Sequence, residues 1–302
     1  MRDNTVNGLA IAPHRFAYGF HRQVWWSWLI GTAFFCGEIG GGLFLVSLLT
    51  DNWLGMIIGY LIVTVGKNTA HILYLGRPAR FWRAAMRPDR SWIARGIWAT
   101  GIFIASGFVV LFPHFLEPYW EFSAQTMQFA SILAGASALF IMFYDGFVMN
   151  TSPSIPFWHT PLLPVLCLTY AGLGGTTLSL LLLELRGLAI PPLLVYAEYF
   201  FLMFNLLLLV LYLFRMSRLH PAARGSVELL LRGAYASTFL GLVLTVGLLG
   251  TFLFSVLHSW THWTWMVILP AVCELTGDYA LLMVLLKSGL LSPQAAHSHT
   301  VG

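Results

Sequence analysis

The stretch from Val24 to Leu49, VWWSWLIGTAFFCGEIGGGLFLVSLL, decides the fold class. It carries one carboxyl, Glu38, in a run long enough to cross the hydrocarbon core of a bilayer, which takes about 20 mostly apolar residues. Outward from it the same pattern recurs at 54–75, 93–112, 125–149, 161–183, 191–214, 229–257 and 263–286. The chain is 58% hydrophobic and 9% charged, with mean hydropathy +0.76, whereas soluble domains carry about 25% charged residues. The expectation is an all-α integral membrane protein: eight transmembrane helices packed as two four-helix bundles, one polytopic domain over residues 1–302.

The breaks between spans are chemically sensible. Asp51-Asn52 separates the first pair; Pro113, Glu117, Pro118 and Glu121 separate the third from the fourth; Pro153 and Pro156 follow the fourth, Pro191-Pro192 opens the sixth, and His220-Pro221 interrupts the loop before the seventh. Proline sits at helix ends because it removes a backbone donor. The first 23 residues lack an apolar run suited to a signal-peptide core and read as a short polar arm. From Ser288 onward the chain reads as a short mobile tail.

Eight spans put both termini on one side, and 14 of the 16 Lys and Arg residues fall there. They are Arg2, Arg15 and Arg22 in the arm; Arg77, Arg80, Arg83, Arg87, Arg90 and Arg95 after span two; Arg215, Arg218, Arg224 and Arg232 after span six; and Lys287. Arg186 is alone on the other side, and Lys67 lies inside a span. The positive-inside rule places both termini in the cytoplasm. The basic balance therefore reports topology and is not read as nucleic-acid binding; the partner surface is membrane lipid.

Cys36, Cys167 and Cys273 lie in three different spans without a CxxC pair, which argues against an iron–sulfur cluster or zinc site in this chain. Haem is disfavoured too: only His71 is near a span interior, while His258 and His262 flank the last turn. No metal ligands and no catalytic residues are assigned. Electrons handled here would come from metal centres in a partner.

Six ionisable residues sit inside apolar spans: Glu38, Lys67, Asp145, Glu198, Glu274 and Asp278. A charge at the bilayer centre costs at least ~2.5–3.5 kcal/mol, so such groups pair, line cavities or do chemistry. Glu274 and Asp278 are four apart, as are Lys67 and His71, and each pair shares a helix face. With Glu38 and Asp145 they are expected to converge on a polar cluster toward the basic side, with Glu198 nearer the opposite face. One lysine cannot neutralise five acids, so part of the set is expected to be protonated and able to transfer protons; the bland alternative is helix packing around Lys67. Gly37 and Gly40 to Gly42, and Gly172, Gly174 and Gly175, are read as close helix contacts. Trp25, Trp26 and Trp28, with Trp260, Trp263 and Trp265, are read as interfacial anchors.

Span two and its loop carry the most specific pattern, His71-Ile-Leu-Tyr-Leu-Gly-Arg-Pro-Ala-Arg-Phe-Trp82, followed by Ser91-Trp-Ile-Ala-Arg-Gly-Ile-Trp98. This resembles the polysulfide reductase membrane-subunit family, often termed NrfD-like, whose loop reads LGRP-x-RFW after a histidine. GEIGGG at Gly37 to Gly42, Tyr144-Asp-Gly-Phe147 and Ile155-Pro-Phe-Trp-His-Thr-Pro161 are similar to the family's first helix, fourth helix and following loop. Two stretches depart from it. Leu29 to Thr32 is largely apolar where Asn and His are usual, and Glu274-x-x-x-Asp278 replaces an Arg-bearing pattern.

The resemblance implies a membrane anchor reactive toward quinone (menaquinone or ubiquinone), docked to a four-cluster ferredoxin-like iron–sulfur subunit and a molybdopterin catalytic subunit that holds the main catalytic site. Sulfur-compound chemistry, as in sulfite-dehydrogenase-type complexes, and the bacterial or archaeal inner membrane are implied with it. Tyr144 matches the family's quinone-binding tyrosine; Asp145, Arg77 and His71 join it as expected quinone contacts, with Arg77 a possible partner for Asp145. Glu38, Lys67, Glu274 and Asp278 are the expected proton-transfer residues. A transporter or proton channel using the acidic cluster is the alternative.

Overall fold

The computed structural model describes residues 5–6, 9–10, 20–116, 122–261 and 263–292. Arg2, Arg15, Glu117, Pro118, Glu121, His262 and the residues from 293 onward lie outside the described set.

Among the described residues, eight helices are long and apolar enough to cross a membrane: α1 Trp28–Leu49, α2 Trp53–Tyr74, α3 Trp92–Leu111, α4 Ala124–Asn150, α5 Leu162–Leu185, α6 Pro192–Leu219, α7 Thr238–Thr261 and α8 Trp265–Ser288. The chain is thus an all-α, multi-pass membrane protein. Polar side chains start the helices where the sequence offers them. Asn52, Ser91 and Ser123 accept from the backbone N–H of Gly55, Ala94 and Thr126 and so satisfy donors the helix cannot. Two boundaries differ most from the hydropathy reading. α6 runs on to Leu219 rather than ending near 214. The seventh span starts at Thr238 rather than 229, because Pro221–Leu231 is a separate short helix. Pro221 occupies its first turn, His220 Nδ1 accepts from the Ala222 N–H, and the helix ends just before Gly233.

α1, α2, α3 and α4 close a ring, each packing on the next and α4 returning to α1. α5 packs on α1, α4, α6 and α8, and α8 packs on α7. The α1–α5 seam therefore joins the two halves. It is tight because Gly42 and Gly175 face each other: a Cβ on Gly42 would collide with the Ala171 carbonyl, and one on Gly175 with the Gly42 backbone. Gly247 and Gly277 bring α7 onto α8 in the same way.

At the terminal side, strand β1, His21–Arg22, pairs antiparallel with β2, Leu290–Leu291. The stretch after Ser288 is therefore anchored through 292, contrary to the mobile tail expected from it; Ser288 and Leu290 are fully buried. The last carbonyls of α8 would be orphaned in a helix end. Here Trp158 Nε1 donates to Leu285 (2.9 Å), Gln23 Nε2 to Leu286 (2.8 Å) and the Gln23 N–H to Gly289 (3.0 Å). Trp26 stacks on the buried Trp158 ring at 5.0 Å, so it belongs to this knot rather than to an interfacial belt, whereas Trp25 and Trp28 are exposed.

Gly42→Val or Gly175→Val should destabilise the purified protein by about 1–3 kcal/mol through overpacking. Gly101→Ala, in open space on α3, should be neutral or stabilising by up to ~1 kcal/mol. Thermal unfolding in mild detergent separates the two outcomes.

Candidate functional site

α2 is π-helical over Ile62–Lys67 before returning to α-helix at Asn68. The wider turn ends on Lys67, which points into the protein against Gly37 of α1; a Cβ there would stand 2.9 Å from Nζ. Lys67 Nζ lies 3.7 Å from Asp145 Oδ1 on α4, with both side chains almost wholly buried. The same ammonium sits 4.8 Å from the Tyr144 ring centroid. Asp145 thus finds its counter-charge in Lys67, not in Arg77, which is exposed in the loop after α2. The sequence offered both Arg77 and Lys67 as partners for a buried carboxylate; the inward π turn favours the lysine.

Tyr144 is 5% exposed and wedged between Phe34 (6.5 Å, edge-on), Phe140 and the backbone of Gly96, where a Cβ would strike its ring. His71, half-buried, meets Phe34 at 6.4 Å. Its Nδ1 bonds the Lys67 carbonyl at 3.0 Å. A carbonyl only accepts, so Nδ1 carries the proton and Nε2 is left for a further partner. Above this cluster, the motif loop forms an exposed 3-10 turn, Pro78–Ala85, with Phe81 and Trp82 about half exposed. Arg95 folds back to donate to the Pro88 and Asp89 carbonyls.

Deeper in, Glu38 of α1 is within electrostatic range of Lys67, Asp145 and Asp278. Glu38 and Asp278 line one small void of about 10 Å³ with Cys167 and Tyr170 of α5, roughly what a single water needs. Among the described residues, the carboxyl oxygens of Asp278 and Glu274 and the Tyr170 hydroxyl have no hydrogen-bond partner in the protein, while Glu38 meets the Cys167 thiol. Glu274 sits one turn before Asp278 and is coupled by charge to Glu198 of α6. Glu198, 4% exposed, accepts from Thr177 Oγ1 at 3.0 Å. It lines a cavity of about 390 Å³ at the end of the protein remote from Tyr144.

The structure therefore brings together Tyr144, Asp145, Lys67, His71 and Glu38, extends the group through Asp278 and Glu274, and leaves Arg77 outside. Tyr170 and Thr177 carried no sequence signal, being neutral residues within an apolar span; Cys167 was noted only as one of three unpaired cysteines, and Glu198 stood out as an intramembrane acid but had no assigned role. Among the described residues, no group of three or more His, Cys, Asp or Glu side chains is placed to hold a metal ion.

The family model described as polysulphide reductase, NrfD, matches residues 18–294. The chain belongs to the NrfD family. No curated protein matches it. In this NrfD protein the matched stretch runs from just before β1 past the last residue of α8, so the Tyr144 cluster, the motif loop and the carboxyl groups all fall within the family's bounds.

Lys67→Met would strand the Asp145 carboxylate in the interior, at an expected cost of about 3–5 kcal/mol. The double variant Lys67→Met/Asp145→Leu should recover most of that loss. Denaturation of the three proteins in detergent checks the coupling.

Proposed function

We propose that this chain is a membrane anchor that exchanges electrons and protons between membrane quinone and an iron–sulfur partner subunit of a molybdopterin oxidoreductase. The observation that carries the reading is the Tyr144, Asp145, Lys67 and His71 cluster at the terminal-side end of α4 and α2, beneath the exposed motif loop. A quinone ring needs apolar or aromatic walls and hydrogen-bonding groups for its oxygens, and the residues present fit it. Phe34, Phe140 and the Tyr144 ring supply the walls, and the Tyr144 hydroxyl and His71 Nε2 supply the polar contacts. When bound, quinone supplies two-electron, two-proton redox chemistry. Tyr144 would orient an oxygen through its phenol, His71 Nε2 would accept from a quinol hydroxyl, and the Lys67–Asp145 pair would give up or receive protons beside them. The near-complete burial of Asp145 and Lys67 excludes bulk water from that exchange.

The exposed loop with Phe81, Trp82, Arg77, Arg80 and Arg83 is the surface we assign to the iron–sulfur partner, itself bound to a molybdopterin subunit acting on a sulfur compound. The excess of Lys and Arg on that side supports a reading in which the loop and both termini face the cytoplasm of a bacterial or archaeal inner membrane.

A complex purified through this chain should contain iron and bound quinone. Tyr144→Phe should slow quinone turnover roughly tenfold, the effect of one lost hydrogen bond of ~1–1.5 kcal/mol. Steady-state assays with a soluble quinone analogue read it; unchanged turnover would reject Tyr144 as a quinone contact.

A further inference from the structure

The cavity of about 390 Å³ that Glu198 lines takes no part in the quinone reading, and its chemistry is one-sided. It lies between the far ends of α5, α6, α7 and the start of α8, remote from Tyr144. α6 packs along α5 and α7 along α8, while α6 and α7 touch through the Tyr199 and Phe252 rings (6.0 Å). The cavity sits beside that contact, with Tyr199 in its wall. Its volume is within the range of small-ligand sites, about 300–1,000 Å³.

The polar lining consists of acceptors and hydroxyls. Glu198, buried, lies within the second turn of α6, roughly 9 Å below the helix end. Thr177 Oγ1 donates to it at 3.0 Å, and the buried Ser255 stands beside it. Glu184 and His258, half-buried, are nearer the opening. His258 Nδ1 donates to the Trp263 carbonyl (3.2 Å), so Nε2 of the neutral ring is an acceptor. Among the described residues no lysine or arginine lines the cavity, and the one buried ammonium, Lys67, is paired with Asp145. A Glu198 carboxylate therefore has no counter-charge within the chain, a costly condition in a protein interior. The surroundings set the depth. Trp260, Trp263 and Trp265, close in sequence to the lining residues Ser259 and Val267, are exposed, and indoles gather at headgroup level in a bilayer. Deeper along α6 and α7, Phe200, Phe252 and Leu253 are exposed and apolar, a surface for hydrocarbon.

We propose that this cavity binds the headgroup of a membrane phospholipid that carries a primary ammonium, the ethanolamine class. The ammonium brings three N–H donors and one positive charge to a lining that has acceptors and no cation. It donates to the Glu198 carboxylate, with the His258 Nε2 and the Glu184 carboxylate as further acceptors, and the Tyr199 ring gives it an aromatic wall. The acyl chains lie outside, along the exposed apolar faces of α6 and α7. An anionic headgroup finds no cation here. A choline headgroup has the charge but no N–H to donate, so the lining selects the primary amine. The site is independent of the quinone reading.

The full-length chain, purified in mild detergent and stripped of lipid, tests this by native mass spectrometry against lipids of identical acyl chains. The headgroups run from ethanolamine through its mono- and dimethyl derivatives to choline, with phosphoglycerol as the anionic member. One ethanolamine lipid should be held about tenfold more tightly than the choline lipid, the effect of a hydrogen bond to a charged group, with the methylated lipids between. Glu198→Gln should abolish that preference while unselective lipid binding stays unchanged, and Glu198→Asp should keep part of it. Equal retention across the series, a preference for phosphoglycerol, or an ethanolamine preference that survives in Glu198→Gln overturns the site. Soluble glycerophosphoethanolamine should not displace the lipid at equal concentration; displacement would overturn the lipid in favour of a water-borne amine. If Glu198→Gln fails to fold, Ser255→Trp, which fills the cavity and leaves the carboxyl in place, should abolish the preference instead, and the headgroup series on the unaltered chain decides without either variant.

Discussion

Ionisable groups in hydrocarbon must be surrounded by protein, and that constraint organises the rest of this fold. Each charge left facing lipid near the bilayer centre costs at least ~2.5–3.5 kcal/mol. The polar residues accordingly sit mainly on the four spans most enclosed by their neighbours: Glu38 on α1, Asp145 on α4, Tyr170 on α5 and Glu274 with Asp278 on α8. The more lipid-exposed α2 and α6 each contribute one inward group, Lys67 and Glu198, and both of these are buried. Lys67 reaches its place through a local π turn, which changes the angular position of one side chain without disturbing the helix on either side.

The glycines and the acids are parts of the same solution. Gly42 and Gly175 let α1 and α5 touch through backbone, which draws Glu38 toward Cys167, Tyr170 and Asp278 and leaves between them a void no larger than a water. Gly37 makes room for the Lys67 ammonium, and Gly174 for the Glu274 carboxyl, whose Oε1 would stand 2.9 Å from a Cβ there. Larger residues at these points would push the helices apart and open the carboxyls to lipid. The terminal knot works at the other scale. Trp158 and Gln23 take up the last carbonyls of α8 and tie the loop after α4 to the end of α8. The residues flanking Tyr144 are thereby held by three segments distant in sequence.

The spans were legible in the sequence because hydropathy is a property of the segment itself. Where that reading slipped, the cause was local. Val227, Leu229 and Leu230 look like the start of a span, but Pro221 and Gly233 confine them to a short helix with its own buried face. Convergence of the acids was also legible, since Glu274 and Asp278 share a face and so do Lys67 and His71. Partner choice was not. Whether Asp145 meets Lys67 or Arg77 depends on how α2 is wound across residues 62–67, and no spacing rule encodes that turn. Trp26 could not be told from Trp25 and Trp28, because the ring it stacks on lies 132 residues away in the chain. Tyr170 and Thr177 were invisible for a different reason: a neutral residue in an apolar helix becomes informative only once its neighbour is known to be a carboxyl.

The composition of the buried acid cluster limits the charge it can carry. Among the described residues, five buried acids share one buried ammonium, and in a low-dielectric interior each further negative charge is repelled by the last while gaining no new counter-ion. The stable condition is one in which Lys67 balances a single carboxylate and the other acids hold protons. Loss of a proton from any other acid leaves an uncompensated charge beside Asp278 or Glu38. Acids linked this tightly titrate as a unit rather than as independent sites. The position of the buried ammonium, next to Asp145 and Tyr144 rather than at the midpoint, fixes which end of the acid cluster tolerates a carboxylate. That end is the one beside the aromatic residues, so the cluster is electrostatically asymmetric even though its members are chemically alike.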